Sequence, residues 1–494
     1  MSLKYISTRG GKELNSIEAI VKGISENGGL YIPTEIPRID KEIYELKDYD
    51  YRELAKYIIG KFFPDFTEEE LKNCVEGAYD SKFNDEKIVP IVSKDNANFL
   101  ELYHGATLAF KDMALSILPY FITTSLKKLN QKEKLVILTA TSGDTGKAAL
   151  EGFKDVEGTE IIVFYPESGV SQIQERQMIT QEGNNTHVVG IEGNFDDAQN
   201  GVKEAFNNES FKKELKEKGY LLSSANSINI GRLVPQVVYY VYGYINLLKE
   251  GRIQEGEKIN IVVPTGNFGN ILAGYYAKLM GIPIDKLITA SNENNVLYDF
   301  FSTGIYDRNR ELKLTISPSM DILISSNLER LLYKICGDNP NKVKELMGEL
   351  SEKGRYEIDS EIRENLNDFY GNFSTEEEIE YTIKEVYEKY DYVIDTHTAV
   401  AYNVYQKYLK DTGDDKKTLI ASTASPFKFT RSVAKALGIN VEGKTDFELV
   451  YELSDKTGLE IPKNIYKIED KKIIHKNKCK KDEMKDIIRE LLNE

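Results

Sequence analysis

One lysine in this sequence sits among residues that could change its chemistry. In Glu101-Leu102-Tyr103-His104-Gly105-Ala106-Thr107-Leu108-Ala109-Phe110-Lys111-Asp112-Met113-Ala114, the apolar positions Ala109, Phe110, Met113 and Ala114, with Ile117, trace one helical face. That spacing predicts a helix with Lys111 in or near its first turn. Partial burial and the positive end of the helix dipole both favour the neutral amine, the form a Schiff-base lysine requires. For an arbitrary helix a snorkelling surface lysine paired with Asp112 is the commoner outcome, so the neighbouring segments carry the decision.

Three further segments place small or hydroxyl residues after an apolar run. Leu135–Ala140 leads into Thr141-Ser142-Gly143-Asp144-Thr145-Gly146-Lys147. Glycines at 143 and 146 let backbone N–H groups turn toward an anion at a helix N-terminus. The NTPase loop GxxxxGK[ST] is excluded, because only two residues separate these glycines and Ala148 follows Lys147. A capped helix with incidental glycines stays open on this segment alone. Ile261–Pro264 leads into Thr265-Gly266-Asn267-Phe268-Gly269-Asn270. Gly-x-x-Gly is not the dinucleotide fingerprint GxGxxG, and a phosphate cradle of backbone N–H groups fits better. Leu419–Ala421 ends in Ser422-Thr423-Ala424-Ser425-Pro426, whose hydroxyls either reach a ligand or satisfy local backbone groups. His104 either supports the same site or hydrogen-bonds in the turn at Gly105. The four histidines are scattered without HxxxH or carboxylate clusters, so no catalytic metal is expected.

The elements that must position these loops alternate in type. Runs rich in β-branched residues recur at Leu135–Leu138, Ile161–Phe164, His187–Ile191, Ile259–Val263, Leu287–Ala290, Tyr392–Ile394 and Leu419–Ala421, each followed by a helical pattern. Strand alternating with helix predicts βαβ units in mostly parallel sheets, with ligands beyond the carboxyl ends of the strands. Near the start, Gly28–Pro33 mixes a short apolar run with turn signals, and Tyr51–Phe62 reads as a helix ended by Pro64. Between about 300 and 390 the pattern is helical and acidic, with Ser374 and Glu377 spaced as a capping box. Lys480–Leu492 reads as a terminal helix.

The 494 residues suit about three domains, or one large α/β body with appendages. Lys plus Arg number 64 against 80 Asp plus Glu, a formal charge of −16. That balance disfavours nucleic acid and anionic membranes as partners. No apolar run nears the ~20 residues of a bilayer span, and Met1–Asn15 has no signal-peptide core. Cys74, Cys336 and Cys479 lie far apart without CxxC spacing. A soluble cytoplasmic α/β enzyme is expected.

Taken in order, these segments resemble threonine synthase, a family of fold-type-II pyridoxal-phosphate enzymes. Tyr5–Gly10 and Gly28–Pro33 are similar to the family's opening, and the Lys111 segment to its ELxHGPTxAFKD, with Ala106 in place of proline. Ser142–Gly146 and Gly266–Asn270 match in spacing, and Ser224–Asn229 with Arg232, Pro235 and Gln236 resembles NSIN…R…PQ. Ser422–Phe429 resembles TAHPAKF, with Ser425 where histidine is common. Asp395–Val400 resembles DPHTAVA, with Thr396 in place of proline, and His397 there is read as part of a helix start without a catalytic role. The resemblance implies an α/β, tryptophan synthase β-like fold: two open, mostly parallel sheets with helices on both faces plus an N-terminal domain. Its implied divisions are an N-terminal domain (1–98), a large cofactor domain (99–133 and 226–440, with the helical insertion), a small mobile domain (134–225) and a C-terminal extension (441–494).

The same resemblance implies roles. Lys111 would carry pyridoxal 5′-phosphate and shuttle protons. Gly266, Asn267, Phe268, Gly269 and Asn270 would hold the cofactor phosphate, and Thr423 the pyridine nitrogen. Thr141, Ser142, Gly143, Asp144 and Thr145 would take the substrate α-carboxylate. Asn226, Ser227, Asn229 and Arg232, with Lys147 as a further candidate, would face the substrate phosphate. The implied reaction is β,γ-replacement on O-phospho-L-homoserine, giving L-threonine and phosphate in a monomer or homodimer. A threonine-synthase-like phospholyase, releasing a keto acid, ammonia and phosphate, shares these motifs and is the alternative. A catalytically silent binding protein is the weaker rival, since it is free to lose any of them. In an acidic protein, Lys111, Lys147, Arg232 and Lys428 are expected to make the site a local cationic exception.

Overall fold

The computed structural model describes residues 2–141, 143–167 and 170–493. In chain order its strands are β1 (Tyr5–Ser7), β2 (Tyr31–Pro33), β3 (Ile91–Lys94), β4 (Ala97–Glu101), β5 (Lys134–Ala140), β6 (Thr159–Pro166), β7 (Thr186–Ile191), β8 (Tyr220–Ser223), β9 (Ile259–Pro264), β10 (Ile284–Ser291), β11 (Ile305–Asp307), β12 (Arg355–Glu357), β13 (Phe369–Phe373), β14 (Thr418–Ser422) and β15 (Asn477–Cys479). The larger sheet has the order β13-β10-β9-β14-β4-β3 and is parallel except where β3 meets β4. The smaller, β15-β7-β6-β5-β8, is parallel throughout. β9 and β14 are buried at every position, so they read as nearly continuous apolar runs.

Helix Ile230–Lys249 lies between the parts, buried along almost its whole length. It packs against helix Tyr51–Phe62 of the N-terminal segment and against helix Gly269–Met280, which follows β9. In the N-terminal segment β1 and β2 pair antiparallel, and helices Tyr51–Phe62 and Glu68–Ala78 start from capping boxes, Asp50 with Glu53 and Thr67 with Glu70. β3 joins the larger sheet from that same segment, and β15 joins the smaller one from the C-terminal extension.

Three local expectations are corrected. Tyr392–Ile394 is not a strand. It links helices Glu376–Tyr390 and Thr396–Thr412, bounded by Asp391 at φ 49° and the N-cap Asp395, and the Tyr392 hydroxyl donates to Glu101 at 2.7 Å. The capping box of the first of these helices is Thr375 with Glu378, because Ser374 gives its hydroxyl to Asn403. Around Lys111 the helix is only Asp112–Leu115, followed by a separate helix Leu118–Lys128. Leu108 takes φ 62° and Ala109 bridges to Ala424. The Phe110 N–H donates to the Thr423 carbonyl at 2.8 Å, and the Ser425 N–H to that of Leu108 at 3.0 Å. Long-range pairing with the end of β14 overrides the helical pattern and brings the lysine loop to Thr423.

Candidate active site

A four-residue helix has little dipole to offer, so burial is what acts on the Lys111 amine. Its Nζ donates to Asp144 Oδ2 and Ser319 Oγ, each at 3.2 Å, and lies 5.6 Å from the centre of the Phe110 ring. Burial lowers its affinity for a proton, Asp144 opposes this, and the charges of Lys428 and Arg232 lower it further; the net direction is down. Thr423, at the end of β14, is 5% exposed.

Asp144 opens helix Asp144–Phe153 after β5. Its Oδ1 accepts from Gln174 Nε2 at 2.8 Å and lies 3.3 Å from Lys428 Nζ. Its Oδ2 accepts from Ser319 as well as Lys111. Burial would raise its pKa, but Lys111, Lys428 and His397 outweigh burial and hold the carboxyl well below the usual range. The side chain is thus an anion engaged by two lysines, and it repels a second carboxylate. What this loop offers a substrate is its backbone: the N–H groups of Asp144 and Thr145 have no acceptor among the described residues. Those of Gly143 and Gly146 turn inward onto Thr141 Oγ1 at 3.0 and 2.9 Å. A Cβ at Gly146 would stand 2.4 Å from Thr141 Cγ2, so glycine is required there. Ser142 lies outside the described residues.

The second loop is a donor cradle. Phe268, at φ 63°, is the N-cap of the twelve-residue helix Gly269–Met280. The backbone N–H groups of Gly266, Asn267, Phe268, Gly269 and Asn270 have no acceptor among the described residues. Asn270 Oδ1 accepts from Tyr239 at 2.7 Å and from Tyr240, which leaves its buried Nδ2 without a partner. The outer side of the loop is tied down: Ser325 donates to the Gly266 carbonyl at 2.6 Å, and Asn327 donates twice to that of Asn267. An anion is what five amides and an orphaned carboxamide suit.

Along 224–232 the residues divide. Asn226 is exposed and Ser227 half-buried, with Ser227 Oγ 3.5 Å from Asn327 Nδ2. Asn229 does not face outward, because its Oδ1 caps helix Ile230–Lys249 and its Nδ2 donates to the Ile20 carbonyl at 3.0 Å. Arg232 is 4% exposed. Its Nη1 donates to the Ala225 carbonyl at 2.7 Å, and its Nε has no partner among the described residues. Burial pulls its pKa down to about 10, with no carboxylate among the described residues offsetting it. Lys147 is drawn away by Glu151 at 3.1 Å and by Gln181, so Lys147 and Lys428 are both taken up by carboxylates.

Several contributors lie outside the motifs. Ser319 reaches Lys111 from the 300–390 segment, and its N–H donates to His397 Nε2 at 3.2 Å while His397 Nδ1 faces Asp395 at 2.9 Å. Fully buried Arg330 ties the loops together: it donates to the Ile228 carbonyl, to that of Tyr31 and to Asn327 Oδ1. No glycine loop or strand end marks either residue in the sequence. His104 is held between Asn84 and Glu101, each at 2.8 Å, which is its structural reading.

A largely buried amine in the loop after β4, an anion cradle after β9 and a hydroxyl at the end of β14, the strand between those two, define a cofactor-dependent α/β enzyme. The family model for pyridoxal-phosphate dependent enzymes matches residues 99–424, and pyridoxal phosphate is the cofactor whose phosphate this donor set fits. Models for the threonine synthase N terminus and the threonine synthase C-terminal region match residues 4–79 and 398–476. Threonine synthase of Schizosaccharomyces pombe is 36% identical over 94% of this chain and 98% of its own length. Human threonine synthase-like 1 is 39% identical over 90% of this chain, which spans 60% of that protein's length. The crystal structure of PLP-bound threonine synthase from Brucella melitensis, 34% identical, has a TM-score of 0.89 and covers 99% of both chains. The chain belongs to the threonine synthase family. No helix among the described residues is long and apolar enough to cross a membrane.

Proposed function

We propose that the protein converts O-phospho-L-homoserine and water to L-threonine and phosphate. The observation that carries this reading is Arg232, a buried guanidinium with an orphaned Nε. Its charge bears on the Lys111 amine, while Lys147 and Lys428 already have carboxylate partners. A buried cation left without a counter-charge is costly unless a ligand supplies one, and phosphate suits a guanidinium fork.

Lys111, the Gly266–Asn270 cradle and Thr423 would hold pyridoxal phosphate, which when bound supplies an electron sink for carbanions beside the substrate nitrogen. A hydroxyl at Thr423, unlike a carboxylate, need not keep the pyridine nitrogen protonated, which moderates that sink. The free N–H groups of Asp144 and Thr145 would orient the α-carboxylate. Lys111 Nζ serves as the base that takes the α-proton and, once that proton has been passed on, a β-proton; as the ammonium it returns protons to the γ-carbon after phosphate leaves and to the α-carbon at the end, with Ser319 Oγ and Asp144 holding the amine within reach. Arg232 steadies the γ-phosphate as it departs, and water adds at the β-carbon.

The test is product analysis with the cofactor-loaded protein and O-phosphohomoserine. Threonine and phosphate in equal amounts are expected. Phosphate with ammonia and a keto acid would instead make it a phospholyase, and a loaded protein that turns nothing over would make it a silent binder.

A further inference from the structure

Lys428, in the turn Pro426–Phe429 just beyond Thr423, is a second lysine beside the first, and its side chain is 0% exposed. An ammonium has three N–H bonds, and three acceptors surround this one. They are the Thr107 carbonyl at 2.8 Å, Gln177 Oε1 at 3.4 Å and Asp144 Oδ1 at 3.3 Å. Among the described residues Lys111 has two, the other oxygen of the same carboxylate and the neutral Ser319 hydroxyl, and its side chain is 13% exposed. One anion therefore serves two amines, and the larger set of protein acceptors belongs to Lys428. The carboxylate comes from the 134–225 segment and both lysines from outside it.

We infer that Lys428 is a positioning residue for the carrier lysine: by clasping Asp144 from the far side it takes up half of that carboxylate, and so leaves Lys111 as the amine that gives up its proton. This rests on reading Lys111 as the carrier. The charged groups facing the pair are few. Lys111 feels Asp144, Lys428 and Arg232; Asp144 feels both lysines and His397; and the charge of Lys428 reaches Asp112 and Lys147 as well. Apart from Asp144, the groups that act on Lys111 are cations. Removing Lys428 deletes one of them and leaves Asp144 wholly to Lys111, so that amine binds its proton more tightly. Removing the Asp144 charge does the reverse.

Cofactor-free protein is mixed with pyridoxal phosphate from pH 6 to 10, and the visible chromophore is followed as the free amine condenses with the aldehyde and releases water. Borohydride reduction and peptide mapping then locate the attachment. Lys428→Met is expected to raise the pH midpoint of uptake by about one unit, roughly a tenfold slower reaction at neutral pH. Asp144→Asn is expected to lower the midpoint. A purely structural loss slows uptake without moving the two midpoints in opposite directions. Unmoved midpoints in both variants, with wild-type circular dichroism, would overturn the inference. If Lys428→Met does not fold, Asp144→Asn decides alone, and an unchanged or raised midpoint overturns it. Attachment at a residue other than Lys111 would sink the carrier reading itself, whereas attachment at Lys111 with unmoved midpoints sinks only the role of Lys428.

Discussion

Replacing Arg232 with methionine separates a group kept for a ligand from one kept for the fold. Burial takes the guanidinium from 12.5 to about 10, a drop of roughly 2.5 units, or about 3 kcal/mol of charge burial. Methionine keeps the unbranched apolar stem but loses the charge-assisted Nη1 bond to the Ala225 carbonyl, which costs about 1.5 kcal/mol or more. The ligand-free variant is therefore expected to be more stable by up to about 1.5 kcal/mol. With an unfolding entropy near 2 cal/mol/K per residue, that raises Tm on the order of 2 °C. Phosphate at one hundred times its dissociation constant stabilises wild type by about 2.7 kcal/mol. Losing a charge-assisted bond should weaken phosphate about 10- to 100-fold and remove between about half and most of that gain. Differential scanning fluorimetry with and without inorganic phosphate reads both effects. A variant less stable than wild type without phosphate, or one that keeps the full phosphate shift, would refute the reasoning.

Three other perturbations follow from the geometry. Asp112 is 2% exposed and accepts the Thr107 N–H and hydroxyl; burial, partly opposed by those bonds, pushes it up to about 6. Because its folded pKa lies above the unfolded one, its stabilising protonation is complete below about pH 4 and lost as pH rises through 6. Asp112→Asn should erase about 3 kcal/mol of that dependence in paired denaturation curves, and parallel curves would contradict this. Gly266→Ala puts a methyl 2.7 Å from the Ser319 carbonyl oxygen, so titration should show at least about tenfold weaker pyridoxal-phosphate binding; unchanged affinity would count against the cradle. Asn229→Ala removes a cap and a buried bond and should lower stability by about 1–3 kcal/mol with the substrate KM unaltered. A raised KM at full stability would return Asn229 to the phosphate site.

Local signals carried the strands and the two glycine loops. Leu135–Leu138 and Ile259–Val263 lie inside Lys134–Ala140 and Ile259–Pro264, because a strand buried on both faces has no polar interruptions to hide it. β8, half-buried, and β13, embedded in a helical and acidic stretch, gave no such run. The helix written across Ala109–Ile117 failed because pairing with residues 423–425 decides that stretch, and no local period reports a partner three hundred positions away. The site divides the same way. Lys111 and the Gly266–Asn270 loop are legible from their own segments. Asp144 as the partner of two lysines, Ser319 and Arg330 depend on four or five distant segments converging. One departure from the family pattern also finds a use: Ser425 Oγ caps the turn that carries Lys428.

In the proposed reaction phosphate departs by carbon–oxygen cleavage and water enters at the neighbouring carbon. Turnover of O-phosphohomoserine in ¹⁸O-water, with mass spectrometry of both products, tests it directly. One ¹⁸O is expected in the threonine hydroxyl and none in the released phosphate, which keeps its bridging oxygen. Label in the phosphate, with homoserine as the other product, would contradict it.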